Sequence, residues 1–351
     1  MKGWHERMNV PIMIMGGGHQ GLAMAAHLTL NGEECYLWNR TEENIKDVIN
    51  TKEIYCDGVV KGIAKVHHAS TDIKENIQKL IMITTPSSAH RDLAKMLAPY
   101  VDDSYTIILN PGRTFGALDF SNVLQENGCK SMPVVAETQT IVYTCRREKT
   151  NAVSIYAMKK GVAIAALKNE DTEKVLERLP ECLKEYFFPA KSFVETSLGN
   201  VGMILHCAPV LMNIGWIESK EAEFKYYYDG ISYSIANFLE KVDAERVAVA
   251  SAMGYKVETL IEWLKRTYGT YGENLFECLQ NNDAYRSIDA PLTIKHRYID
   301  EDVPNGLVPV ESAGKQLGVE TKNISLIIDL ANAIMEKDYR LIGRKYSNIE
   351  N

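Results

Sequence analysis

Residues Gly16-Gly17-Gly18-His19-Gln20-Gly21 constrain this chain more than any other segment, because they fit the pattern GxGxxG with Gly16, Gly18 and Gly21 at its three glycine places. The context matters more than the match. An apolar run, PIMIM (11–15), leads into the glycines; a helical stretch, LAMAAHLTL, follows them and stops at Asn31-Gly32; a second apolar run, ECYLW (34–38), comes next. Strand, glycine turn, helix and strand in that order form the unit that receives a dinucleotide. Its glycines allow a tight turn and close backbone approach to a pyrophosphate, whose charge meets the amide N–H groups of the helix N-terminus. The plainer alternative is a glycine-rich turn with no ligand.

The pattern continues through the first half. KLIMITTP (79–86), YTIILNPG (105–112) and MPVVAET (132–138) are further apolar runs, separated by the helical stretches SSAHRDLAKML and TFGALDFSNVL. Fully apolar strands between helices suit a parallel sheet covered on both faces. From about Arg147 the pattern changes. SIYAMKKGVAIAAL reads as two strands around a Lys-Lys-Gly turn, and DTEKVLERLPECLKEYF as one amphipathic helix. Beyond about Thr196 only helical patterns remain, among them SYSIANFLEKVDAERVAVASAMG, whose Ile235, Phe238, Leu239, Val242, Val247 and Val249 approximate a 3.6-residue stripe. The expected architecture is α/β: a Rossmann-type doubly wound parallel sheet that binds NAD(P) over residues 1–195, followed by an all-α helical domain over 196–351. The length of 351 residues agrees with two domains at roughly 150 residues each.

Composition removes several function classes. The 46 acidic and 39 basic residues leave a net charge of -7 without a Lys/Arg-rich block, so neither nucleic acid nor an anionic membrane surface is an expected partner. Seven cysteines stand singly, an odd number without a CxxC pair, as expected of reduced thiols in a cytosol. The short apolar run after MKGWHERMNV is too brief for a signal segment or a membrane span, and the expectation is a soluble, cytoplasmic protein. No metal is called for. A homodimer is compatible with the sequence, which does not determine the oligomeric state.

The candidate ligand-binding residues follow from the fold. The second strand of such a unit normally ends in Asp or Glu for the adenosine ribose, but here Asn39-Arg40-Thr41 stands there. Without an acid to repel a 2′-phosphate, and with Arg40 to receive it, this segment favours NADP over NAD. In the alternative, Arg40 stacks on adenine or faces solvent, NAD binds, and Glu42 or Glu43 supplies the carboxylate. Thr84-Thr85-Pro86-Ser87 and Asn110-Pro111-Gly112-Arg113-Thr114 lie at the carboxyl ends of later strands, where open α/β sheets hold their ligands. Thr85 and Pro86 are cofactor candidates together with His19, Gln20 and Asn39 to Thr41. Arg113 is either a grip for a substrate carboxylate or a solvated or paired arginine. In the helical half, His206 interrupts the apolar run VGMILHCAPVLMN, where a lone histidine is more often a satisfied core residue than a catalyst. The cluster HRYIDEDVPNGLVP (296–309) is a second polar concentration, with a solvated charge cluster as its plainer reading.

The chain resembles the octopine/opine dehydrogenase family over nearly its whole length, through GGGHQGLAMAAHL, LWNR, LNPGRTFGALDF, VVAETQTIVYTCR, LHCAPVLMNIGWIE, YYYDGIS and HRYIDEDVPNGLVP. The resemblance implies reductive condensation of an amino acid with a 2-oxo acid, usually pyruvate, at the expense of NADH or NADPH. It makes His206 the catalytic histidine, Asp302 its paired carboxylate, and Arg297 the cation that grips the oxo-acid carboxylate. It also marks departures. Octopine-type members carry a bulky aromatic residue where Gly202 stands, which argues against a long guanidino substrate. Arg113 replaces an uncharged residue and favours a second acidic group on the substrate, and Asp300 replaces a small hydroxyl residue. The competing functions are a ketone or hydroxy-acid reductase of the glycerol-3-phosphate dehydrogenase or ketopantoate reductase type, and a non-catalytic nucleotide-sensing protein. The first usually relies on a catalytic lysine and the second lacks an acid/base pair.

Overall fold

The computed structural model describes residues 10–219 and 223–347. The chain divides into two compact units with the boundary between Thr196 and Ser197. In the first, the strands are β1 (Ile12–Met15), β2 (Cys35–Trp38), β3 (Glu53–Gly58), β4 (Gly62–Lys65), β5 (His68–Ser70), β6 (Leu80–Ile83), β7 (Thr106–Leu109), β8 (Val134–Thr138), β9 (Tyr143–Lys149), β10 (Ala152–Met158), β11 (Val162–Ala166) and β12 (Phe187–Pro189). Eight of them form one sheet in the order β12-β11-β8-β7-β6-β1-β2-β5. From β5 to β8 every neighbouring pair is parallel, and β11 joins β8 antiparallel.

Side-chain alternation explains why these short runs are apolar throughout. Ile12, Ile14, Leu80, Met82 and Ile108 face one core, which includes Leu22 and Ala26 of the His19–Leu30 helix. Met13, Met15, Ile81, Ile83, Ile107 and Leu109 face a second core with Leu93, Leu97, Phe120 and Leu124. A strand buried on both faces has no position where a polar residue would be solvated. The strand order reverses direction between β1 and β6, and the crevice at their carboxyl ends is where such sheets take ligands.

Two local readings of the sequence need correction. The strands flanking Lys159-Lys160-Gly161 exist but do not pair with each other. β11 joins the large sheet, whereas β10 enters a separate four-stranded sheet ordered β4-β3-β10-β9 that sequence patterning did not reveal. The expected single helix through DTEKVLERLPECLKEYF is broken into Thr172–Arg178 and Glu181–Lys184. Pro180 lacks the N–H that a continuous helix needs and holds Leu179 in an extended conformation.

The second unit is helical, with only an isolated Lys225–Asp289 bridge of β type among its described residues. Its longest helix, Tyr233–Ala252, starts at Ser232, whose side chain accepts the Ile235 N–H. Leu260–Tyr268 opens with a Thr259/Glu262 capping box and closes at Gly269 with φ 66°. The apolar stripe of the long helix is only part of its buried face. Asp243, Glu245 and Arg246 are buried beside Leu239, Val242 and Val249. Among the described residues no helix is long and apolar enough to cross a membrane.

Candidate active site

The glycine loop has a different steric reason at each glycine place. Gly16 has φ 121°, a conformation that side chains rarely adopt. A Cβ on Gly21 would lie 1.6 Å from the Gly16 carbonyl oxygen, so only glycine lets the helix approach β1 so closely. A Cβ on Gly18 would meet nothing within 4 Å. Gly18 is exposed, and the open space beside it is what close approach of a pyrophosphate requires. Thr84 donates to the Met15 and Gly16 carbonyls and braces this turn, whereas the buried Thr85 hydroxyl has no partner among the described residues. Pro86 caps the short turn Ser87–Ala89 that follows. The open glycine and the unsatisfied Thr85 hydroxyl both fit a nicotinamide dinucleotide.

Several cofactor candidates already hold protein groups. The Asn39 side chain accepts the Gly17 N–H at 2.9 Å and donates to the Thr41 carbonyl at 2.8 Å, so it shapes both the glycine loop and the turn after β2. Arg40 is exposed, 3.7 Å from Asp92. The Gln20 amide donates to the Tyr143 carbonyl at 3.0 Å, and His19 Nδ1 accepts the Arg147 N–H at 3.1 Å. Arg147, which sequence reasoning passed over, sits against the glycine loop. Nothing in the CRREK segment separates it from the other basic residues of the chain.

Between β7 and β8 the backbone is unusual. Asn110–Pro111 is cis, and Arg113 (φ 62°) and Phe115 (φ 52°) are left-handed without being glycine. Left-handed conformations at residues other than glycine persist where the surroundings over-determine them, often at functional sites. Here the fully buried Glu137 carboxylate accepts the Ala117 N–H at 2.7 Å and the Thr196 hydroxyl at 2.8 Å. It lies so close to Gly112 that a Cβ there would be 2.5 Å away. Near this loop, burial and then the Arg113 charge hold the Lys159 amine below its ordinary pKa.

In the helical unit, His206 and Asp302 meet across 96 residues of sequence. Nδ1 of His206 lies 2.7 Å from Oδ2 of Asp302, whose side chain is 1% exposed against 12% for the histidine. Since a carboxylate only accepts, the Nδ1 nitrogen carries the proton and donates it to Asp302. The neighbouring sequence builds this pair. His206 lies in the helix Gly202–Met212, which contains Pro209; the missing Pro209 N–H frees the Leu205 carbonyl, and the Tyr226 hydroxyl donates there at 3.3 Å and to the His206 carbonyl at 2.7 Å. Asp302 precedes a π-helical turn, Val303–Leu307, in which a Cβ on Gly306 would come within 2.7 Å of Met203 Cβ. That glycine lets the Asp302 segment approach the histidine helix.

Tyr298 stacks on the imidazole of His206, with centroids 3.8 Å apart and planes 11° from parallel. His296 meets the same tyrosine edge-on at 4.4 Å, and burial followed by the Arg297 and His206 charges lowers its pKa. Arg297 is exposed, its guanidinium carbon 5.9 Å from the Tyr298 centroid, and it pairs with no carboxylate among the described residues. Gly202 opens the histidine helix one turn before His206, on the same face. Asp300 accepts from Lys337 at 2.6 Å and from the Tyr339 hydroxyl at 2.7 Å, which ties it to the C-terminal helices.

Family models match both parts of the chain. The model of the NAD/NADP octopine/nopaline dehydrogenase α-helical domain matches residues 189–335, and that of the NAD-dependent glycerol-3-phosphate dehydrogenase N-terminus matches 11–112. An opine dehydrogenase of Arthrobacter sp. strain 1C is 34% identical over 336 residues, covering 94% of this chain and 92% of the relative. The chain belongs to the opine dehydrogenase family. This opine dehydrogenase is therefore an NAD(P)-dependent oxidoreductase acting on CH–NH donors, and its reaction is the reductive condensation of an amino acid with a 2-oxo acid. It is also similar to vitopine synthase of Allorhizobium ampelinum, 23% identical over 96% of the chain and 94% of that relative. Solved structures share its fold. Octopine dehydrogenase with NADH and L-arginine aligns with TM-score 0.78 and 18% identity, covering 93% of this chain and 90% of that one. NADP+-bound yersinopine dehydrogenase aligns with TM-score 0.79 and 11% identity over 93% and 91%.

Proposed function

We propose that His206 is the acid/base of this opine dehydrogenase, that Asp302 orients it, and that Arg297 holds the carboxylate of the 2-oxo acid. The observation that carries this reading is the buried 2.7 Å His206–Asp302 pair. Condensation of an amine with a carbonyl gives a carbinolamine, which loses water to become an imine. Each step moves a proton that His206 Nε2 can take or return near neutral pH, since imidazole has a reference pKa of about 6.5. Asp302 fixes the ring orientation and the tautomer with the proton on Nδ1. The Arg297 guanidinium, always charged, grips a carboxylate with two parallel hydrogen bonds and so fixes the plane of the reacting carbonyl.

The nicotinamide nucleotide supplies the hydride when bound. We assign its pyrophosphate to the loop Gly16 to Gly21 with His19 and Gln20 at the helix start, its adenosine ribose to Asn39, Arg40 and Thr41, and a hydrogen bond to Thr85 beside Pro86. NADP is the expected preference: no acid stands at position 39, and among the described residues the exposed Arg40 has only a 3.7 Å contact to Asp92. Gly202 in place of a bulky residue argues against arginine as the amino donor, and Arg113 at a strand end favours a substrate that carries a second acidic group. Free thiols at all seven cysteines suit a reducing cytoplasm.

The test is a matrix of amino acids against pyruvate, glyoxylate and 2-oxoglutarate, followed by the absorbance loss of NADPH and of NADH. Oxidation that needs both amine and oxo acid is the expected result. Oxidation by an oxo acid alone would indicate a plain ketone reductase, and a matrix without signal would refute the substrate assignment.

A further inference from the structure

The glycine loop is touched by a cation from outside the parallel sheet. Arg147 belongs to β9 of the four-stranded sheet, and this strand is latched to the first turn of the His19–Leu30 helix. Its Tyr143 carbonyl accepts from Gln20, the Cys145 thiol lies 3.3 Å from the His19 carbonyl, and the Arg147 N–H donates to His19 Nδ1. The backbone is therefore held in register with the loop.

From that anchor the guanidinium reaches back. Nη1 donates to the Gly17 carbonyl at 3.3 Å and to the Asn44 carbonyl at 3.4 Å. Gly17 is in the glycine loop, and Asn44 is in the turn after β2, where this fold holds the adenosine ribose. The two contacts use one nitrogen. Nε and Nη2 make no hydrogen bond, and no carboxylate pairs with Arg147, among the described residues. A half-exposed guanidinium in that state is a charged fork of donors without an anion, and phosphate is the anion whose geometry it matches. Arg40, by contrast, is highly exposed and leans toward Asp92.

We propose that Arg147 is the second cation, with Arg40, that receives the 2′-phosphate of NADP(H), so that the four-stranded sheet supplies a determinant of cofactor choice. This rests on assigning the nucleotide to the glycine loop, and the two can fail separately. The experiment is titration of the full-length protein with NADPH, NADH, adenosine 2′,5′-bisphosphate and 5′-AMP by calorimetry, for wild type, Arg147→Met and Arg147→Lys. The expected result is that Arg147→Met lowers the selectivity for NADPH over NADH, and for the bisphosphate over AMP, by roughly 10- to 100-fold, as loss of a charge-assisted bond predicts. Arg147→Lys should lie between, because it keeps the charge without the fork. Equal weakening of both nucleotides would overturn the proposal and make Arg147 a brace of the loop, and so would unchanged selectivity. If Arg147→Met does not fold, unchanged selectivity in Arg147→Lys overturns it. Absence of any nucleotide binding by wild type would instead refute the assignment of the loop.

Discussion

If Asp302 acts only through His206, removing both must cost no more than removing His206. The perturbation is a cycle of Asp302→Asn, His206→Gln and the double variant, in which Asn keeps the shape of the carboxylate and Gln keeps a hydrogen-bonding group facing position 302. With side chains 1% and 12% exposed and 2.7 Å apart, the pair is little screened by solvent. A hydrogen bond to a charged group contributes roughly 1.5–3 kcal/mol. At about 1.36 kcal/mol per factor of ten, Asp302→Asn should lower kcat/KM by roughly 10- to 150-fold. Removal of a general acid/base typically costs about 10²–10⁴-fold, so His206→Gln should fall further. The assay is the initial rate of NADPH loss with saturating amine and varied oxo acid, with nucleotide affinity measured in parallel to verify the fold. Losses that multiply in the double variant would refute the argument, because they would give Asp302 a role independent of the histidine.

Arg297→Lys should raise the KM for the oxo acid more than that for the amino acid, since Lys keeps charge but not the paired donors; an effect confined to nucleotide affinity would move Arg297 to the cofactor site. Arg246, fully buried, donates to Asp243 at 2.6 and 2.8 Å and to the Glu258 carbonyl at 2.7 Å. Arg246→Met strands a buried carboxylate and should cost about 3–5 kcal/mol, read as a melting transition lower by roughly 10 °C; a shift under a degree would show that the pair is dispensable. Burial, partly offset by Glu185, holds the His27 pKa below 6.5. As pH falls below 6.5 the unfolded chain takes up a proton that the folded chain resists, so stability present above that pH is lost progressively toward the folded pKa. The melting temperature of His27→Gln should fall less steeply than that of wild type over this range, and parallel curves would contradict the linkage.

What the sequence determined by itself is local. The glycine spacing at Gly16, Gly18 and Gly21 and the apolar runs that became β1, β2, β6, β7 and β8 carry their own reasons, because a parallel strand covered on both faces must be apolar at each position. The Pro180 break was equally local, and the amphipathic pattern around it masked the signal. The four-stranded sheet was not legible: β9 reads YTCRREK with one face in solvent, and β3 finds its parallel partner, β10, about a hundred residues later. Asp243, Glu245 and Arg246 are charged residues outside the apolar stripe of their helix, positions that periodicity alone assigns to solvent. They are buried because their partners come from elsewhere, as when Glu245 accepts the Asn323 and Ile324 N–H groups that begin the Lys322–Met335 helix. The site divides in the same way. Residue type alone left His206 a core histidine and Asp302 one of a charged cluster, and the family resemblance nominated the pair; only packing of the helix Gly202–Met212 against the π-turn after Asp302 put a carboxylate on the imidazole Nδ1, with Tyr298 on its face and Tyr226 on its backbone. Hydrogen bonds of that range depend on where two distant segments come to rest in space, which no periodicity along the chain encodes.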